Sequence, residues 1–114
     1  AWAVGEVLFM EDRVYLSLIF DFYGDLLTER QKYIFESRYG EDLSFQEIGE
    51  ICGITKQAVS DTLKRTEKQL KKYEERLGLA GRHIKQKEEI EKAVELLNSG
   101  NTEKVKEILM NLLE

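Results

Sequence analysis

A chain of 114 residues, 42% apolar and 34% charged, is long enough for one domain, or one domain with a small helical appendage, and too apolar to remain disordered. It has no proline, and its eight glycines fall mostly where helices should end, so it reads as all-α. The net charge of −5 means that any affinity for nucleic acid has to come from a local basic surface, and no run approaches the roughly 18 to 20 apolar residues of a membrane span.

Met10, followed by Glu11 and Asp12, looks like a natural start. Residues 1–9 are apolar but lack the basic flank of a secretory signal, so they are expected to be an upstream extension or a cloning remnant without function. Val14, Leu16, Leu18, Ile19, Phe22, Tyr23 and Leu26 recur at helical spacing, which predicts a first helix over residues 11–23, closed by Gly24 and Asp25. Thr28 and Gln31 have the form of a capping box, in which a hydroxyl serves an orphan amide and a side chain reaches back. They open a second helix that runs to about Tyr39 and ends at Gly40.

Ser44 with Glu47 repeats the pattern and starts a short helix expected to bury Phe45, Ile48 and Ile51, with Gly53 marking a sharp turn. Thr55 then caps a long run from Lys56 to about Leu77. Within it Val59, Leu63, Thr66, Leu70, Tyr73 and Leu77 alternate steps of four and three, a heptad seam that either pairs two protomers or packs internally against the first helix.

Gly78-Leu79-Ala80-Gly81 reads as a break. After it comes a polar helical hairpin: a helix over about residues 84–97 with Ile90, Ala93, Val94 and Leu97 inward, a turn at Asn98-Ser99-Gly100-Asn101, and a helix over residues 102–113 capped by Thr102. The expected division is a helix-turn-helix domain over residues 10–77 and a C-terminal hairpin over residues 78–114, the latter a packing or dimerisation element.

The stretch from Ser44 to Ser60 has the spacing of a helix-turn-helix. Gly49 is small where two helices cross closely, Gly53 permits the turn, and Ile48, Ile54, Val59 and Leu63 fix the crossing. With Ala58, Val59, Thr62 and Leu63 inward, the second helix presents Lys56, Gln57, Ser60, Asp61 and Lys64 at its N-terminal end, the end that reads bases in such units. Lysine and glutamine there can reach guanine or adenine edges, and Arg65, Lys68, Lys71, Lys72 and Arg76 continue the positive side chains as phosphate contacts require. Residues 55–76 hold seven Lys/Arg against four Asp/Glu, whereas residues 10–50 hold four against ten. Asp61 on the reading face repels phosphate, so the expected affinity for double-stranded DNA is modest unless the protein pairs or is handed to DNA by a partner.

The run from Phe20 through Gly24, Leu27, Thr28 and Arg30 to Gln31, the 44–60 unit, and Leu63-Lys64-Arg65-Thr66-Glu67-Lys68-Gln69-Leu70 together resemble the YlxM family of small bacterial proteins, over most of residues 10–113. Residues 26–70 are also similar to region 4 of bacterial sigma factors, where this unit contacts the promoter's upstream element. That resemblance places Lys56, Gln57, Ser60 and Lys64 at the base-reading end of the recognition helix. Membership of the YlxM family implies a cytoplasmic DNA-binding protein whose gene commonly neighbours those for signal recognition particle components, and hence a link to that targeting pathway. It brings no catalytic residue. The polymerase-binding regions of a complete sigma factor are missing.

Three function classes follow. The first is a DNA-binding regulator, as a monomer or a homodimer. The second is a protein- or RNA-interaction module of the signal recognition particle machinery, in which the acidic first half would suit a basic partner. The third, an enzyme, finds no nucleophile–base pair, metal cluster or phosphate-binding glycine loop, so no catalytic residue, metal or cofactor is expected. Cys52 reads as core in a reducing compartment and His83 as a surface or helix-end histidine.

Overall fold

The computed structural model describes residues 12–114; the extension expected at residues 1–9 lies outside the described residues. All regular structure among the described residues is helical. Helix α1 (Asp12–Tyr23) turns Leu16, Ile19 and Tyr23 inward at steps of three and four. A single 3-10 turn, Gly24–Leu26, then redirects the chain.

Helix α2 (Glu29–Tyr39) begins with the full capping box: the Gln31 amide donates to Thr28 Oγ1 at 3.1 Å and the Thr28 amide to Gln31 Oε1 at 2.9 Å. Helix α3 (Phe45–Cys52) repeats it with Ser44 and Glu47, both bonds at 3.0 Å. Such a cap stabilises a helix by about 1 kcal/mol. Between α2 and α3, Asp42 adopts φ +56°, and Arg13 of α1 reaches across to bind its carboxylate and the Tyr39 carbonyl, the latter at 3.1 Å.

Helix α4 (Lys56–Leu77) is the organising element, packing on α1, α2 and α3. At its N-terminal half Val59 and Leu63 join Ile34 and Ile48 in one cluster, flanked by Tyr39, Leu43, Phe45, Cys52 and Ile54. Further along, Leu70 is fully buried, as are Leu16, Ile19 and Tyr23 of α1. Each such side chain contributes about 1.5–3 kcal/mol. Thr66, also fully buried, satisfies its hydroxyl by donating to the Thr62 carbonyl at 2.8 Å.

The heptad seam is therefore occupied within one chain. Val59, Leu63, Thr66 and Leu70 are buried, Tyr73 lies half-buried with its ring 5.9 Å from that of Tyr23, and Leu77 is exposed. Pairing two protomers along it would withdraw four side chains from the protomer's own core.

The short helix does not bury Ile51 as expected. Its buried arc runs through Phe45, Ile48, Gly49 and Cys52, and Ile51 lies past the edge of that arc, 59% exposed.

The described residues fall into two compact units by their contacts, one ending at Gly78 and the other running from Leu79 to Glu114. The expected four-residue break between them is absent. Gly78 alone, at φ +62°, ends α4, and helix α5 (Leu79–Asn98) begins on the next residue with Gly81 inside it. Helix α6 (Thr102–Leu112) follows a turn in which Gly100 takes φ +82°. Its cap is Asn101 rather than Thr102: the Asn101 Oδ1 accepts from the Lys104 amide at 3.3 Å, and Thr102 is already the first helical residue.

The inward face predicted for α5 is also corrected. Ala93 is buried, but Ile90, Val94 and Leu97 are about half exposed, because two antiparallel helices share only one line of contact and these three residues stand to one side of it.

Candidate nucleic-acid interface

The turn between α3 and α4 is tighter than most residues allow. A Cβ on Gly49 would stand 2.7 Å from the Ile54 carbonyl oxygen, so glycine lets α3 approach the turn, and Gly53 at φ +69° supplies the left-handed step. Thr55 then caps α4 by accepting from the Ala58 amide at 3.0 Å. Ile48, Val59 and Leu63 lock the two helices together beneath this turn, which presents the N-terminal end of α4 on a rigid base.

On that base the predicted residues all reach the surface of α4. Lys56, Gln57, Asp61, Lys64, Arg65 and Lys68 are exposed and Ser60 is half-buried. Gln57, Asp61, Lys64 and Lys68 form a stripe at helical spacing, opposite the buried line of Val59, Leu63 and Leu70. Gln57 Nε2 donates to Asp61 Oδ1 at 3.0 Å, which occupies one oxygen of the one carboxylate among residues 56–66 of α4. Arg65 lies 3.5 Å from Thr62 Oγ1. Among the described residues Lys56, Lys64, Lys68 and Lys72 have no carboxylate within 4.0 Å, whereas Lys71 pairs with Asp12 at 3.3 Å. The first turns of α1, α2 and α3 carry Asp12, Glu29 and Glu47, but that of α4 carries no acid and opens on Lys56-Gln57. The positive end of its dipole is thus not neutralised from within.

Sequence reasoning missed what happens to two acids of α4. Tyr39 of α2 donates its hydroxyl to Glu67, and Tyr23 of α1 donates to Glu74 Oε1 at 2.6 Å. Both carboxylates are turned toward the core side of the helix. The formal count of four acids on residues 55–76 therefore overstates what the outer face shows, which is Asp61 and Glu75. The signal available in the sequence was the placing of Glu67 and Glu74 one residue after Thr66 and Tyr73 of the seam, flanking the buried line. Gln31 and Gln69 complete the row of polar contacts at 3.1 Å, with Gln69 Nε2 also donating to the Tyr73 hydroxyl at 2.9 Å.

Burial and the Glu67 carboxylate push the Tyr39 phenol up to about 12. Bonds from the Ser44 amide and hydroxyl hold Glu47 below the usual carboxylate range. Among the described residues no group of His, Cys, Asp or Glu is arranged to hold a metal ion, and no helix is long and apolar enough to cross a membrane.

This arrangement, a short capped helix, a glycine turn and a long capped helix with a basic outer face, fits what a family comparison finds. The model of the UPF0122 family, YlxM/p13-like helix-turn-helix proteins, matches residues 10–111. The chain belongs to that family. It is 45% identical over 106 residues to a UPF0122 protein of Desulforamulus reducens, covering 87% of this chain and 91% of the relative. It is 46% identical over 87 residues to one of Caldanaerobacter subterraneus subsp. tengcongensis, covering 76% and 74%. A third, from Clostridium novyi, is 41% identical over 107 residues, covering 90% and 93%. In this UPF0122 chain the helix-turn-helix is α3, the Gly53 turn and α4.

Proposed function

We propose that this protein binds double-stranded DNA as a regulator, in the cytoplasm and without catalytic activity, by laying the N-terminal half of α4 into the major groove. The observation that carries this reading is the outer face of α4: Gln57, Lys64 and Lys68 share one stripe, with Lys56 and Arg65 exposed on its two sides, while Glu67 and Glu74 are turned inward by tyrosines. In the assignment of roles, Lys56, Gln57, Ser60 and Lys64 reach base edges, and Arg65 and Lys68 reach phosphates. Asp61 lowers the general affinity and is available to accept from a cytosine amine. Residues 10–77 are the binding domain and residues 78–114 a separate hairpin. The likeness to sigma factor region 4 supports the same docking direction.

A second reading rests on the charge of the other helices. Residues 10–50 carry ten acids against four bases, a surface suited to a basic protein of the signal recognition particle machinery. The two readings part at α4. Fluorescence anisotropy of labelled duplex DNA, titrated with wild type and with a Lys56→Ala/Lys64→Ala variant, tests the first. Strong loss of binding in the variant supports DNA reading. Absence of binding by wild type at low salt removes it and leaves the interaction module.

A further inference from the structure

The hairpin presents apolar surface that no other described residue covers. Ile90, Val94 and Leu97 of α5 are 49%, 51% and 55% exposed, and Leu109 and Leu113 of α6 are 51% and 79% exposed. They are not scattered. The helices meet through Ala93 and Leu96 on one side and Val105, Ile108 and Leu112 on the other, all buried or half-buried. At 100° per residue, Ile90, Val94 and Leu97 lie about a quarter-turn from the contact line of α5, and Leu109 and Leu113 about a quarter-turn from that of α6. Because the helices are antiparallel, these rotations carry both sets to the same side of the hairpin. The result is one apolar plate spanning both helices.

We infer that this plate is the interface through which two copies of the chain pair, face to face about a twofold axis. Five side chains at these exposures present roughly 500 Å² of apolar surface, at the upper end of what a soluble monomer shows in one patch. It is also about the apolar share of the ~800 Å² that each partner buries in a stable complex. The hairpin needs the cover: α6 has 11 residues and no fully buried side chain, and a helix that short is marginal in water on its own propensity.

The rim selects a second copy over an oppositely charged partner. Residues 79–114 hold six Lys/Arg against seven Asp/Glu. The outer edge of α5 carries Lys87 and Glu91, that of α6 carries Glu103 and Lys106, and none of the four is ion-paired among the described residues. Each edge therefore offers both signs, so a twofold-related copy can meet every charge with its opposite. The pairing is independent of what α4 binds.

Light scattering on the eluting full chain, over a dilution series, tests this. The expected result is a mass of twice 13.3 kDa at micromolar concentration. A Val94→Glu/Leu109→Glu variant, which places two carboxylates in the plate at positions already half exposed, should raise the dissociation constant at least about a hundredfold. It should also keep the helical circular dichroism of wild type, since neither side chain is in the core. Val14→Glu, at an equally exposed apolar site of α1, should leave the dimer intact. A wild-type mass of 13.3 kDa at every concentration overturns the inference, as does a dimer that the double variant leaves unweakened.

Discussion

Tyr39 on α2 donates its hydroxyl to Glu67 on α4, 28 residues further along the chain, and so turns an acid away from the face that would meet DNA. Tyr23 and Glu74 repeat the relationship from α1, 51 residues apart. The same contacts that fasten the long helix to its supports also leave its outer side more positive than its composition indicates. The packing of α4 and the electrostatics of its outer face are thus set by one set of side chains.

That pair titrates. The folded phenol of Tyr39 ionises at about 12, above its ordinary 10.0. A group whose pKa is raised by folding contributes stability that is complete below its unfolded value and is lost as pH rises through the folded one. The Tyr39 contribution should therefore be intact up to about pH 10 and fade toward pH 12. The difference in phenolate absorbance between wild type and Tyr39→Phe should show a midpoint near 12, shifted down, but not fully to 10, by Glu67→Gln, since burial persists. A wild-type midpoint at 10 contradicts the buried bond.

Glu47 predicts the opposite pH sense. Its pKa is lowered by the Ser44 bonds, so its contribution is present above the ordinary carboxylate value and lost as pH falls through the folded one. Urea unfolding at neutral and acid pH should show Ser44→Ala costing about 1 kcal/mol at neutrality. Glu47→Gln should reduce the acid sensitivity of wild type, because an amide oxygen still accepts from the Ser44 amide when a carboxyl would be protonated.

The two glycines of the turn fail for different reasons, and substitution separates them. At Gly53 no atom lies within 4 Å of a new Cβ, so Gly53→Ala costs only the left-handed backbone, about 1–2 kcal/mol, and Gly53→Asn recovers part of it. At Gly49 the obstacle is the Ile54 carbonyl oxygen at 2.7 Å, which cannot rotate aside. Gly49→Ala should cost about 1–3 kcal/mol, and Gly49→Asn should not improve on it. Chemical denaturation of the four variants reads both effects; rescue by asparagine at both sites would show that the close approach is wrong.

Asp61 should behave as a brake on DNA affinity. Asp61→Asn removes a carboxylate from the middle of the reading stripe while keeping an acceptor for Gln57, so duplex binding at low salt should tighten severalfold. Weaker binding would instead mark Asp61 as a base-reading acceptor, and the loss would then concentrate on particular sequences.

Much of this was legible from local chemistry. Thr28 with Gln31, Ser44 with Glu47, and Thr55 act within three residues, so the starts of α2, α3 and α4 can be read from adjacent letters, and Gly53 and Gly78 mark their turns for the same reason. What escaped depends on a partner distant in sequence. Ile51, Ile90, Val94 and Leu97 are apolar at helical spacing, yet which arc of a helix is buried depends on where its neighbour lies. Glu67 and Glu74 look like any solvated acids until α1 and α2 bring tyrosines to them. The heptad seam could not reveal from its period whether the surface it meets belongs to the same chain.

The most direct test of the central claim is the salt dependence of duplex binding, measured for wild type and for Lys68→Ala. If α4 lies in the groove with Lys68 on a phosphate, log affinity falls linearly with log salt, and the variant's slope is shallower by about 0.9. Its affinity should drop by a similar factor for every sequence tried. Binding whose slope is unchanged by Lys68→Ala, or no binding at low salt, would contradict the placement of α4 on DNA.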